Sequence, residues 1–316
     1  MKKLLALVLL VLPFAAYACL NGFHGSFKEA NDASRANFPV PKGNPLGKSD
    51  TDLYRMTDEF EAEYKKGKYE GSVNYSVILI YGNRFEEAEK VCRGIAKKWP
   101  NKYESAANLG TILEVNGKNE EALKWIKKAL EIDSLAHDGS EWIHVKVLEA
   151  KLKPGVKFVG SKVTGIDFGQ DSLPKAEVDE QALKRLQKEL FYQLNERVTF
   201  IDPEDVYIAE LMFELGNVTL ARGQNNRAKE IYEIAKKYGH KAKLYEKRYA
   251  ESQKPSTYMV AASDSTATEE GDGSVGEGEE TTEDSGPPST VALVFMGLGL
   301  ALVIGLFWRI FEGKAK

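Results

Sequence analysis

The sequence predicts an all-α fold: a solenoid of helix pairs with an irregular insertion, followed by a single C-terminal transmembrane helix. Three observations carry this. Asn83-Arg84-Phe85-Glu86-Glu87-Ala88 and Gly117-Lys118-Asn119-Glu120-Glu121-Ala122 repeat one pattern, with the two alanines 34 residues apart. Small residues recur with that turn, as in Leu109-Gly110, Ala122 and Ala129, and two helices approach closely only where side chains are short. Val291 to Trp308 is almost entirely apolar. Paired helices at this period bury their apolar faces by stacking on one another.

The repeat units can be aligned phase by phase. In the unit that starts at Tyr103, Leu109-Gly110 and Leu113 lie on the first helix, and Ala122, Ile126 and Ala129 on the second. The unit from Tyr69 places Tyr75, Ser76, Leu79, Ala88, Cys92 and Ile95 at the same phases. A later copy holds Leu215-Gly216, Thr219, Gly223, Ala228, Tyr232 and Ala235. Gly139 to Leu152 reads as another first helix, with Ile143 and Val147 in phase, and Pro154 ends it. These residues resemble the tetratricopeptide repeat family over about half of the folded region.

The resemblance implies a concave groove, lined by the first helices, that takes a protein or peptide partner. It carries groove-facing phases onto Val73, Asn74, Val77, Ile80 and Tyr81 in the first unit, beside Glu70. In the second unit it carries them onto Asn108, Thr111, Glu114 and Val115, beside Glu104 and Ala107. In the last they fall on Phe213 and Asn217, beside Glu210, Glu214, Leu220 and Ala221. Asn74 and Asn108 share one phase, and an asparagine amide can hold an extended backbone by donor and acceptor together. Family members that clamp a peptide carboxylate use Lys or Arg in this groove, and none stands at these phases.

The elements follow in order. Residues 1–18 read as a secretory signal peptide: Met1-Lys2-Lys3, an apolar run from Leu4 to Val11, then Ala16-Tyr17-Ala18 as a small-x-small cleavage site. Cys19 follows the cut and is the candidate for lipidation, since it resembles the modified cysteine of bacterial lipoproteins; Tyr17 and Ala16 depart from that pattern. Residues 19–50 are rich in Gly and Pro and predict an extended segment. Thr51 to Lys66 predicts a helix, with Leu53, Met56, Phe60 and Tyr64 at helical spacing, and opens the N-terminal repeats of residues 51–153. Residues 154–175 alternate strand-like residues with glycine and predict an inserted loop or hairpin. Residues 176–254 hold the C-terminal helices, among them Val178 to Val198, and a helix start at Asp202-Pro203-Glu204.

The remaining segments set a compartment. Residues 255–289 predict a disordered acidic linker, because Ser, Thr, Gly and Glu dominate and little apolar surface is available to bury. Residues 290–308, as a helix, nearly cross a hydrocarbon core of ~30 Å and are expected to be a transmembrane helix. Arg309, Lys314 and Lys316 follow, so residues 309–316 are expected in the cytoplasm and the repeats outside it. The expected location is the bacterial cell membrane, single-pass, with a periplasmic repeat domain. Gly297, Ala301 and Gly305 form a small-xxx-small stripe through which two such helices can pack.

The formal charge is −4, but residues 261–289 hold nine acidic residues and no basic ones. Setting these aside, with the +2 at each end, leaves about +1 for the region between signal and linker. That region has no basic field of the kind nucleic acid requires. Cys92 sits at a core phase, where a cysteine behaves as a small hydrophobe. The four histidines are His24, His137, His144 and His240. His137 and His144 are seven residues apart with Glu141 between them, a spacing that does not suit two metal ligands on one helix face. His240 falls at a helix end, where it can serve the last carbonyls. Asn74 and Asn217 match the glycosylation pattern but lie on predicted helices. No P-loop, nucleophile elbow or zinc-type cysteine spacing is present. No cofactor, metal or catalytic residue is therefore expected. The expected function is a non-enzymatic extracytoplasmic scaffold for a protein or peptide partner. The alternatives are a structural part of an envelope complex, or an enzyme or metal carrier with its site in the N-terminal segment or the insertion.

Overall fold

The computed structural model describes residues 50–255, together with residue 20, residues 22–23 and residues 40–43. The segments expected to be a signal peptide, an acidic linker and a membrane helix with a Gly297–Gly305 stripe, and Cys19, lie outside the described residues. Among the described residues no helix is long and apolar enough to cross a membrane.

The described chain is all-helical. Eleven α-helices and one 3-10 turn are present among the described residues, with no strand. Helix α1 spans Asp50–Lys65, α2 Tyr69–Tyr81, α3 Phe85–Lys98, α4 Tyr103–Val115 and α5 Asn119–Ile132. A 3-10 turn, Ala136–Gly139, leads into α6, Glu141–Lys151. The short α7 is Gly160–Thr164, α8 is Glu180–Phe200, α9 Val206–Ala221, α10 Asn225–Lys237 and α11 Lys243–Ser252. Neighbours in sequence pack as pairs, α2 on α3, α4 on α5 and α9 on α10.

One turn chemistry joins each of these pairs. Asn83, Gly117 and Gly223 follow the first helices with φ of 55°, 73° and 71°. The amide of the next residue then bonds back to a carbonyl of the last turn: Arg84 to Leu79 at 2.9 Å, Lys118 to Leu113 at 2.8 Å and Gln224 to Thr219 at 3.1 Å. A left-handed residue closed by such a bond stops a helix and reverses the chain. Glycine suits this conformation, and asparagine is the non-glycine residue that tolerates it best.

The two helices of a pair have different characters. The second helices are amphipathic: α3 buries Ala88, Val91, Cys92, Ile95 and Ala96, and α10 buries Ala228, Ile231, Tyr232 and Ala235. Cys92 is a buried free thiol, which burial pushes up to about 12. The first helices are buried nearly all round: every residue from Gly71 to Tyr81 is buried, and every residue from Ile208 to Leu220 except the half-buried Glu210. A helix without a polar face has neighbours on every side.

Close approach within a pair rests on glycine. A Cβ on Gly110 would enter the Ile126 side chain and stand 3.2 Å from the Ile126 backbone nitrogen. A Cβ on Gly216 would enter the Tyr232 ring. Gly94, on the exposed side of α3, would meet nothing. Gly110→Ala is therefore expected to cost about 1–3 kcal/mol by overpacking. Gly94→Ala should gain about 0.5–1 kcal/mol by lowering the entropy lost on folding. Urea melts of the two variants check the pairing, which falls if both shift the same way.

The region between α6 and α8 is mostly irregular, as expected of a loop, and forms no hairpin. It contains no strand; its regular part is the single helical turn α7. Its strand-like residues, Phe158 and Phe168, instead point into the second core cluster, with Leu190, Leu211 and Met212. The expected helix start at Asp202 lies further on, at Asp205, whose carboxylate accepts from the Ile208 amide at 2.8 Å.

Candidate functional site

The phases expected to line an open groove are closed by the chain itself. Val73, Asn74, Val77, Ile80, Tyr81, Asn108, Thr111, Glu114, Phe213 and Asn217 are all buried, and Val115 is half-buried. A main contributor is α8, which lies against α2, α6 and α9 and reaches Glu114 of α4 through Arg197. Its residues from Leu190 to Arg197 are buried throughout. Gln187 donates to Thr219 at 2.9 Å, and Gln193 to Ser140 at 3.2 Å. Phe200 and Leu20 join the core cluster that holds Val73, Val77 and Ile80.

The asparagines do different work from one another. Asn74 Oδ1 accepts from the Phe23 amide at 2.7 Å, so it holds an extended backbone, but that of its own chain. Asn195 of α8, not singled out from sequence, does the same for the amides of Lys42 and Gly43, both at 3.2 Å. Asn108 donates to Ser76 at 3.5 Å, and Asn217 donates to Glu214 and accepts from Tyr232. The glycosylation pattern at Asn74 and Asn217 thus falls on buried amides.

Beneath α8 lies a set of ionisable groups cut off from solvent. Glu114 accepts both guanidinium nitrogens of Arg197, at 3.0 and 3.1 Å, in a bidentate pair. It also meets His144 Nε2 at 2.6 Å and Lys151 Nζ at 2.8 Å. Glu141 meets His137 Nδ1 at 2.6 Å, accepts from the Tyr103 hydroxyl at 3.0 Å, and stands 3.4 Å from His144 Nδ1. His137, Glu141 and His144 are each 0% exposed. Burial alone would raise Glu114, but Arg197, His144 and Lys151 outweigh it and hold the carboxyl well below its usual range. Glu141 is lowered likewise, burial being overcome by His137 and His144. Burial works against the charged form of His144, yet a carboxylate at each ring nitrogen raises its pKa.

A second buried set holds the insertion down. Arg248 of α11, 2% exposed, donates to the carbonyls of Phe168 at 3.0 Å, Gly169 at 2.6 Å and Asp171 at 3.3 Å. Gly160 of α7 sits so close to α9 that a Cβ would meet the Glu214 side chain and, at 2.8 Å, the Glu210 carbonyl. Glu214 is pushed up to about 7 by burial, with Glu210 and Asp167 adding to the shift and Asn217 and Arg248 opposing it. His240 does not serve helix carbonyls. It stacks on Phe213 with ring centres 4.2 Å apart, and its Nδ1 is 3.2 Å from Glu210.

Two histidines bridged by Glu141 were visible in the sequence as a spacing, but not as a bridge. Arg197, Arg248 and Asn195 were missed. Their signal was polar residues inside an otherwise apolar helix, as in Leu194-Asn195-Glu196-Arg197-Val198. Among the described residues no group of three or more His, Cys, Asp or Glu is arranged to hold a metal ion. Compared with protein-family models, the chain matches none, and compared with curated proteins it finds no significant match.

Proposed function

We propose that the chain is a non-enzymatic interaction scaffold, a tetratricopeptide-like solenoid that is exported and held at the membrane by its C-terminal apolar segment. The observation that carries this reading is one helix–turn–helix unit repeated at Asn83, Gly117 and Gly223 with the same left-handed residue and the same closing bond. Stacked units of this kind present broad surfaces to partners. The acid–base set supports a framework role: a general acid or base must come within hydrogen-bond reach of a substrate, and His137, Glu141 and His144 have no solvent-exposed surface. Because α8 fills the inner face, the partner is expected on the outer helices or on the insertion.

The test uses the full chain with a tag after Lys316, extracted from its native membranes in mild detergent. A second protein should elute with it at a constant ratio; a chain that elutes alone overturns the scaffold reading. Protease added to spheroplasts should cut within residues 261–289 and release the repeats while the tag stays protected. A digested tag beside protected repeats inverts the topology.

A further inference from the structure

The insertion is fastened at both ends, by Gly160 against α9 and by the Arg248 bonds to Phe168, Gly169 and Asp171. Phe158 adds an edge contact to Tyr207, with ring centres 4.9 Å apart. Between α6 and this fastened segment lies a recess of about 220 Å³, whose apolar lining is Ala150, Val156, Phe158, Val159 and Val163. Lys146, Lys153, Lys157 and Lys162 surround it. Its one lining carboxylate, Glu149, is already shared by Lys127 at 3.3 Å and Lys146 at 3.6 Å. Lys153, Lys157 and Lys162 are exposed and form no ion pair among the described residues. From Ala150 to Val163 the chain holds no acidic residue at all.

We propose that this face binds an acidic peptide segment of a partner protein, with one apolar side chain seated in the recess between carboxylates that meet the lysines. The inference rests on the scaffold reading and names where and what the scaffold binds. Three features select this occupant. The uncompensated lysines call for negative charge, and complementary charge sets partner choice and encounter rate. No arginine lines the recess, so separate point charges are offered, not a planar fork; that suits carboxylates spaced along a peptide. An apolar recess accepts an inserted side chain, which a flat membrane surface does not supply. Insertions into a helical repeat array also tend to gather on one face, often the binding face.

The probe is a fluorescein-labelled peptide with a central leucine flanked on each side by Glu and Asp, read by anisotropy against the full chain in detergent. Binding should weaken as salt rises, because exposed charges are screened. The variant Lys153→Glu/Lys157→Glu/Lys162→Glu should lose about tenfold or more in affinity while melting like the parent chain. Replacing the central leucine by glycine should weaken binding at unchanged charge. Equal binding of the glycine peptide means charge alone is read, and the proposal falls. Binding to vesicles rich in phosphatidylglycerol, lost in the same variant, with no peptide binding, assigns the face to a membrane and also overturns it. If the lysine variant still captures the native partner at the same ratio, this site is wrong and the scaffold reading stands. If no partner is captured by either chain, the scaffold reading fails, and this inference with it.

Discussion

Glu114→Gln is expected to destabilise the protein by about 3–5 kcal/mol, the cost of breaking a buried ion pair from one side. The carboxylate faces Arg197, His144 and Lys151 together, and the first two are fully enclosed. A neutral amide would leave those charges buried without their counter-ion. A groove-lining glutamate open to water would cost less than about 0.5 kcal/mol, as surface changes do. A urea melt separates these outcomes, and a loss below that smaller figure would place Glu114 at the surface. The double change Glu114→Met/Arg197→Met should recover much of the loss, since apolar residues of similar volume often replace a buried pair at little cost.

The same cluster makes stability depend on pH in both directions. His144 has a raised pKa, so its contribution is complete below the unfolded histidine value and is lost as pH rises through the folded one. Glu114 and Glu141 have lowered values, so theirs is complete above the unfolded carboxylate value and is lost as pH falls through the folded ones. Both limbs belong to one network, and Glu114→Gln should flatten both.

How much of this was legible in the sequence follows from which contacts are local. The helix pairs are set by turns of a few residues and by i, i+3, i+4 spacing, all of it within one unit. Asn83, Gly117 and Gly223 announce the turns, and Ala122 with Gly110 announces the close approach. What closes the inner face is not local. Arg197 reaches Glu114 across 83 residues, and the Phe23 amide reaches Asn74 across 51. No period relates those positions. One cue was available: α2 carries no charged residue from Gly71 to Tyr81, and a first helix facing an open groove needs a polar stripe. Val73-Asn74-Tyr75-Ser76-Val77-Ile78-Leu79-Ile80 was therefore evidence for a covering helix before any coordinates. Assigning groove phases from the family pattern overlooked it. The hairpin alternative for the insertion is absent for a similar reason. Its β-branched and aromatic residues match a strand by composition, but Phe158 and Phe168 serve as anchors in the core, and Gly160 is there for its lack of a side chain.

Glu214→Gln should make the protein more stable at alkaline pH and leave it nearly unchanged in acid. Glu214 lies on α9 under the insertion, 5% exposed, with its carboxyl pushed up from 4.5 to about 7. Groups from several packed elements face it: Gly160 and Asp167 from the insertion, Glu210 and Asn217 from its own helix, Tyr232 from α10 and Arg248 from α11. With the folded value above the unfolded one, the native protein keeps a proton that the unfolded chain has released. Stability therefore falls as pH rises from about 4.5, and the loss levels off above about 7, once the native carboxyl has ionised too. Across that gap the loss amounts to about 3 kcal/mol. Glutamine keeps the size and the acceptor for Asn217 but carries no proton to lose. Arg248 retains its three carbonyl partners in either case. Urea melts of parent and variant near pH 5 and above pH 8 give the comparison, in which all other titrating groups cancel. An advantage for glutamine confined to the higher pH is expected. A variant weaker than the parent at the higher pH would mean that Glu214 is ionised in the native state as the counter-ion of Arg248, and that the insertion is held by that pair and not by the carbonyl bonds.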